Sequence, residues 1–228
     1  MASTELEQRG NDAGSELLVR LAVHVQCQDT HRRAAVDGLR DERAVDVENR
    51  REVSHELAEE LFEIEYLEQP VATIAEMAEL RLKLKTFGLK IAADESVRKV
   101  SDPLAVAHAG AADILVIKAA PLGGITRALS VIREAGLPAV ISSGLETSVG
   151  ISMGLHLAGA LPHLDHDCGL GTLALLEDDV CDEPLIPVAG MLPVKRVVPS
   201  AAKLESLAAS AERTHWWLER LERCHKLL

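Results

Sequence analysis

The sequence predicts an α/β protein built as a TIM-like (β/α) barrel, and an incomplete one. Three observations lead there. Short apolar, β-branched runs alternate with stretches of helical periodicity. Polar residues close successive runs at Asp46, Glu68, Asp94, Lys118 and Ser143, at steady intervals of 22, 26, 24 and 25 residues. The chain has 228 residues, whereas a complete eight-unit barrel takes about 250. The alternative is an open doubly wound sheet. Its connections vary more in length, and no Gly-x-Gly-x-x-Gly opens a helix here.

Taken in order, strands are expected at 17–25, 44–47, 64–67, 89–93, Ile114–Ile117 and Ala139–Ile141, with a less apolar one at 164–168. Helices are expected at 51–62, Ile74–Leu84, 102–109, 124–135, 149–160 and 201–223. The first places Val53, Leu57, Leu61 and Phe62 on one stripe, and the second does the same with Ile74, Met77, Leu80 and Leu84. Ser101-Asp102-Pro103 reads as a helix start, and Gly110 and Gly136 read as helix ends. The chain divides into a polar tail (1–16), the barrel (17–199) and a C-terminal helix (200–228) whose Trp216-Trp217 is expected to pack on the barrel.

Composition narrows the function. Hydrophobic residues make up 47% of the chain, enough for a full core. The net charge of −12 argues against nucleic acid, which requires clustered Lys and Arg. The tail lacks the apolar core of a signal peptide, and no apolar run reaches the ~18 residues of a membrane span, so a cytoplasmic protein is expected. Cys27, Cys168, Cys181 and Cys224 form no Cys-x-x-Cys pair and read as reduced thiols. His24, Cys27 and His31 match no zinc spacing.

Active sites of such barrels lie at the C-terminal ends of the strands. Asp46, Glu68 and Asp94 each close a strand, so three adjacent strands would aim carboxylates at one point. Carboxylates so gathered repel one another unless a cation neutralises them. Oxygen-only ligands select a hard divalent ion, with Mg²⁺ preferred and Mn²⁺ the alternative. The other reading is that each acid caps the following helix or pairs with an arginine. Lys118 closes the next strand; it either snorkels to solvent or, beside a cation, takes part in proton transfer. Gly123-Gly124 reads as a tight turn opening a helix, with a phosphate cradle as the alternative.

Five segments, in this order, resemble the enolase superfamily: Glu68-Gln69-Pro70, Ala93-Asp94-Glu95-Ser96, Lys118 with Pro121-Leu122-Gly123-Gly124, residues 142–148 (Ser-Ser-Gly-Leu-Glu-Thr-Ser), and Cys168-Gly169-Leu170-Gly171-Thr172. The last two are similar to the o-succinylbenzoate synthase family within it. The resemblance runs from about residue 45 to 199. It implies a barrel of the enolase C-terminal type and Mg²⁺ held by Asp46, Glu68 and Asp94, with Asn49, Gln69 and Glu95 behind them. It further implies a small carboxylate substrate, a dehydration that leaves an aromatic ring, and Lys118 placed against that ring as a cation–π partner. The Ser143 hydroxyl and the backbone of Gly169, Leu170 and Gly171 would hold substrate carboxylates.

Three departures accompany the resemblance. The family carries Lys-x-Lys on the strand before the first metal ligand, and the second lysine is the base. Here Arg20 stands nearest that lysine and Leu18 nearest the first, and no lysine precedes Lys83. Arginine stays protonated, so it is a poor base, although it can position a carboxylate. The family's capping domain and first barrel strand are expected to be missing, which would leave open edges suited to self-association. Asn49 stands one residue further from Asp46 than the family's Asp-x-Asn has it. Three functions follow as candidates: the dehydratase, a relative that binds metal or ligand without turnover, and, least supported, an N-acylamino acid racemase, which needs two opposed lysines.

Overall fold

The computed structural model describes residues 18–20, as backbone, and residues 64–227. The expected strand at 44–47 and helix at 51–62, and with them Asp46 and Asn49, lie outside the described residues.

Four short strands make a parallel sheet in chain order: β2 (Tyr66–Glu68), β3 (Lys90–Ala93), β4 (Ile114–Ile117) and β5 (Ala139–Ile141). A helix follows each: α1 (Ile74–Leu84), α2 (Asp102–His108), α3 (Ile125–Ala135) and α4 (Ser148–Gly159). This is a consecutive run of β-α units, half of a barrel. Beyond β5 the sheet is extended by a parallel bridge between Ser142 and Gly169. The strand expected at 164–168 is reduced to that bridge; Asp165 and Asp167, two of its five residues, have low β propensity.

The helices start and stop where local chemistry directs. Thr73 caps α1, accepting from the Glu76 N–H at 3.2 Å while Glu76 reaches back to the Thr73 N–H at 3.0 Å. Ser101 makes no side-chain cap for α2; Asp102 instead accepts from the Lys99 N–H at 2.7 Å. Gly124 precedes α3 with φ +102°, a conformation open to glycine, and the Gly123-Gly124 pair forms a tight turn as expected. Gly136 ends α3 in the left-handed region.

The strands separate two faces. Ile91, Ala93, Leu115, Ile117, Ala139 and Ile141 point outward into the main core, against Met77 and Leu84 of α1, Val106 of α2, Ile132 of α3 and Leu155 of α4. Ala92, Ile114, Val116 and Val140 form the second, inner cluster with Tyr66. Both faces are buried, which is why β4 reads as an unbroken apolar run.

Two expectations are overturned here. The run at 17–25 was expected as a barrel strand. The backbone of β1 (Leu18–Arg20) instead pairs antiparallel with β6 (Met191–Pro193), outside the parallel sheet. The C-terminal helix was expected to pack on the barrel. It is two helices, α5 (Ala201–Ser206) and α6 (Ala211–His225), and neither buries a residue. Trp216 and Trp217 are 39% and 51% exposed and stack edge-on against each other, with Arg213 and Arg220 over their rings. No helix among the described residues is long and apolar enough to cross a membrane.

Candidate active site

The inner face continues past the strand ends. Side chains alternate along a strand, so Glu68 shares the face of Tyr66, Asp94 that of Ala92, Lys118 that of Val116, and Ser142 that of Val140. One face thus carries an apolar floor and, two residues further along each strand, a polar rim. Lys118 Nζ and Asp94 Oδ1 form an ion pair there, with side chains 22% and 13% exposed. Burial raises the Glu146 carboxyl above its usual range, opposed by the Gly144 N–H and the charge of Lys118. At the floor, burial above all, with the charges of Glu68 and Glu65 next, pushes the Tyr66 phenol up to about 12. The Tyr66 ring meets His166 edge-on, and His166 Nδ1 donates to Glu65 Oε1 at 2.5 Å.

The expected substrate-binding residues meet on the neighbouring strand end. Ser143 is 5% exposed; its hydroxyl donates to the Gly169 carbonyl at 2.9 Å and lies 2.9 Å from Thr172 Oγ1. Thr172 in turn donates to the Gly144 carbonyl at 2.5 Å. Both hydroxyl protons are thereby engaged within the protein, so Ser143 reaches a carboxylate only by exchanging a bond it already makes. A Cβ on Gly169 would stand 2.7 Å from Ser142 Oγ, which explains the glycine as a point of close approach. Leu170 is fully buried and packs on Gly154 of α4. The Leu170 side chain thus faces the core, and the Gly169 N–H donates to the Ile141 carbonyl at 2.8 Å.

Sequence reasoning therefore gathers Glu68, Asp94, Lys118, Ser143 and the 169–171 backbone at one end of the sheet. Glu95 departs from its expected supporting place: it is more than half exposed and pairs with Arg98 at 3.6 Å. Arg20 lies on β1, in the antiparallel pair. Tyr66, Ser142 and Glu146 were missed. Tyr66 carried a signal, because it sits two residues before Glu68 on the same face.

The oxygen donors Glu68 and Asp94 are of the type that a hard divalent cation takes. Two oxygen donors share one rim, and the Asp94 carboxylate already holds a cationic partner there. Among the described residues no three His, Cys, Asp or Glu side chains gather as a metal cluster. Asp46, the third expected ligand, lies outside them.

This arrangement of β-α units with acids and a lysine at the carboxyl ends of the strands defines a class. The enolase C-terminal domain-like family model matches residues 21–199, and the chain belongs to that family. Enzymes of this superfamily use a divalent metal. The chain is 53% identical to an o-succinylbenzoate synthase of Mycobacterium tuberculosis over 165 residues, which are 72% of this chain and 49% of that protein. It is 52% identical to the enzyme of the same name from Mycobacterium marinum, with the same coverage. The chain spans about half the length of these relatives. Among solved structures, it matches a probable mandelate racemase from Alicyclobacillus acidocaldarius with a TM-score of 0.59 and 28% identity, covering 78% of this chain and 51% of that one. It matches 2-chloromuconate cycloisomerase from Rhodococcus opacus with a TM-score of 0.55 and 30% identity, covering 69% and 45%.

Proposed function

We propose that this chain forms the barrel part of an o-succinylbenzoate synthase. That enzyme is a Mg²⁺-dependent dehydratase of menaquinone biosynthesis, converting 2-succinyl-6-hydroxy-2,4-cyclohexadiene-1-carboxylate to o-succinylbenzoate. One observation carries the reading: Glu68, Asp94 and Lys118 share a rim inside a stretch 53% identical to enzymes of that name.

Asp46, Glu68 and Asp94 would hold the cation. When bound, it supplies positive charge beside the substrate carboxylate, stabilising the charge that develops as the neighbouring proton leaves. Asp94 orients the Lys118 ammonium, which then faces the substrate ring and favours the electron-rich intermediate. Backbone N–H groups near Gly169–Gly171 and the hydroxyl of Ser143 receive the substrate's carboxylates. The apolar floor of Ala92, Ile114, Val116 and Val140 excludes water beneath the ring. The same reading includes a cytoplasmic location and self-association through open barrel edges.

One feature favours a second reading. No lysine precedes Lys83, and an arginine cannot serve as the base. A relative that binds metal or ligand without turnover would keep the rim carboxylates and lack the base. Absorbance of the cyclohexadiene substrate separates the two, measured with purified protein and Mg²⁺ and with Lys118→Ala as control. Turnover abolished in the control supports the dehydratase. Absence of turnover with Mg²⁺ still bound supports the second reading.

A further inference from the structure

Gln69 follows Glu68 directly, with a backbone φ of +40°. A positive φ is costly for a residue with a side chain and persists where its surroundings hold it. Its own N–H continues the sheet, donating to the Ala92 carbonyl at 2.8 Å. Its amide then reaches across to the loop after β3. Oε1 accepts from the N–H of Asp94 at 3.1 Å and from the N–H of Ser96 at 3.2 Å. Nε2 donates to the Val71 carbonyl and to Ser96 Oγ, both at 2.9 Å. Every hydrogen-bonding position of the amide is filled, and a flipped amide would set its NH₂ against two backbone N–H groups.

We propose that Gln69 is a positioning residue that sets the spacing between the Glu68 and Asp94 carboxylates, and so the rim's preference for a small, rigidly coordinated cation. The proposal rests on the metal reading above. Gln69 is bonded covalently to one expected ligand and by hydrogen bond to the backbone of the other. The amide thereby spans the two strand ends that carry these residues. Mg²⁺ demands near-ideal octahedral geometry from its oxygen ligands, whereas Ca²⁺ accepts longer and less regular ones. A device that fixes carboxylate spacing therefore acts on Mg²⁺ more than on Ca²⁺. A loop staple with no bearing on the ligands would change stability and leave the relative affinity for the two ions unaltered.

Calorimetric titration of the metal-stripped full chain with Mg²⁺ alone and with Ca²⁺ alone tests this. Gln69→Ala is expected to lose roughly ten- to a hundredfold in Mg²⁺ affinity, the usual effect of removing a group that orients a ligand. Its Ca²⁺ affinity should fall by much less, so the Mg²⁺/Ca²⁺ affinity ratio collapses. Ser96→Ala, which spares both bonds to Oε1, should keep the wild-type ratio. Gln69→Asn, one methylene too short to reach Asp94, should repeat the result if Gln69→Ala does not fold. Equal losses for both ions, or a Ser96→Ala ratio as low as that of Gln69→Ala, would overturn the positioning role. Wild-type protein that binds neither ion would instead overturn the metal reading itself, and the proposal with it.

Discussion

Asp113 offers a measure of how the fold joins its sheet to its helices. Its carboxylate lies at the start of β4. Oδ1 accepts from Arg81 Nε at 2.8 Å and Nη2 at 2.6 Å, and Oδ2 accepts from the Ile91 N–H of β3 at 3.0 Å. Arg81 also donates to the Gly110 carbonyl at 3.2 Å. The Asp113–Arg81 pair thus ties α1, β3 and the end of α2 together. In Asp113→Ala the Ile91 N–H, in a residue with no exposure, loses its acceptor, at a cost of about 1–3 kcal/mol. The ion pair adds less. Its side chains are 28% and 26% exposed, so solvent screens it to about 1 kcal/mol. The expected total is about 2–4 kcal/mol, read as a lower urea midpoint at unchanged slope. Asp113→Asn keeps an oxygen for Ile91 and sets an NH₂ against the guanidinium, so it should recover about half of the loss. A loss below about 1 kcal/mol in Asp113→Ala, or an Asn variant no better than Ala, would refute the assignment of the cost to the Ile91 N–H.

Further outcomes are expected. Mg²⁺ at a hundredfold excess over its Kd should stabilise the chain by about 2.7 kcal/mol, raising Tm by several degrees, and Asp94→Asn should abolish the rise; a rise retained in the variant would remove Asp94 from the metal site. Arg20→Lys should increase any dehydratase rate, by up to about 10²–10⁴-fold if it restores a general base; an unchanged or lower rate would mean that Arg20 does not occupy the base position. Tyr66 is the sole tyrosine, so its phenolate absorbance reports one group, half-titrated near pH 12 in the folded chain instead of near 10. Its folded pKa lies above the unfolded one, so the folded state holds the proton more tightly. Stability is then full below about pH 10 and declines as pH rises towards 12. Half-titration near pH 10 in folded protein would contradict the buried floor.

The parallel units were legible because their strands are buried on both faces. Ile114–Ile117 has no polar residue to confuse it with a surface strand, and each strand's closing residue could be counted. The rim was legible for the same reason, since Glu68, Asp94 and Lys118 each break an apolar run at its end. What stayed hidden depends on partners distant in sequence. β6 is three residues ending in proline and exists by pairing with β1. The resemblance places Gln69 behind the rim carboxylates, but its bonds to a loop 25 residues away are recorded by no local pattern. Trp216 and Trp217 have the composition of a packed face, yet they find partners within their own helix, and sequence pattern cannot tell the two apart.

The alternation of the two faces has a consequence for how this chain can vary. Lys118 reaches the rim because it stands an even number of residues from Val116 and Ile114 on β4. One residue inserted in that strand would turn the ammonium out among the helices and bring a core isoleucine to the rim. A deletion would do the same. The rim therefore admits changes of side chain far more readily than changes of length, and insertions belong in the connections on the opposite side of the sheet. There the segment between α1 and β3, with Gly88 at φ +72°, can lengthen without shifting the parity of any strand.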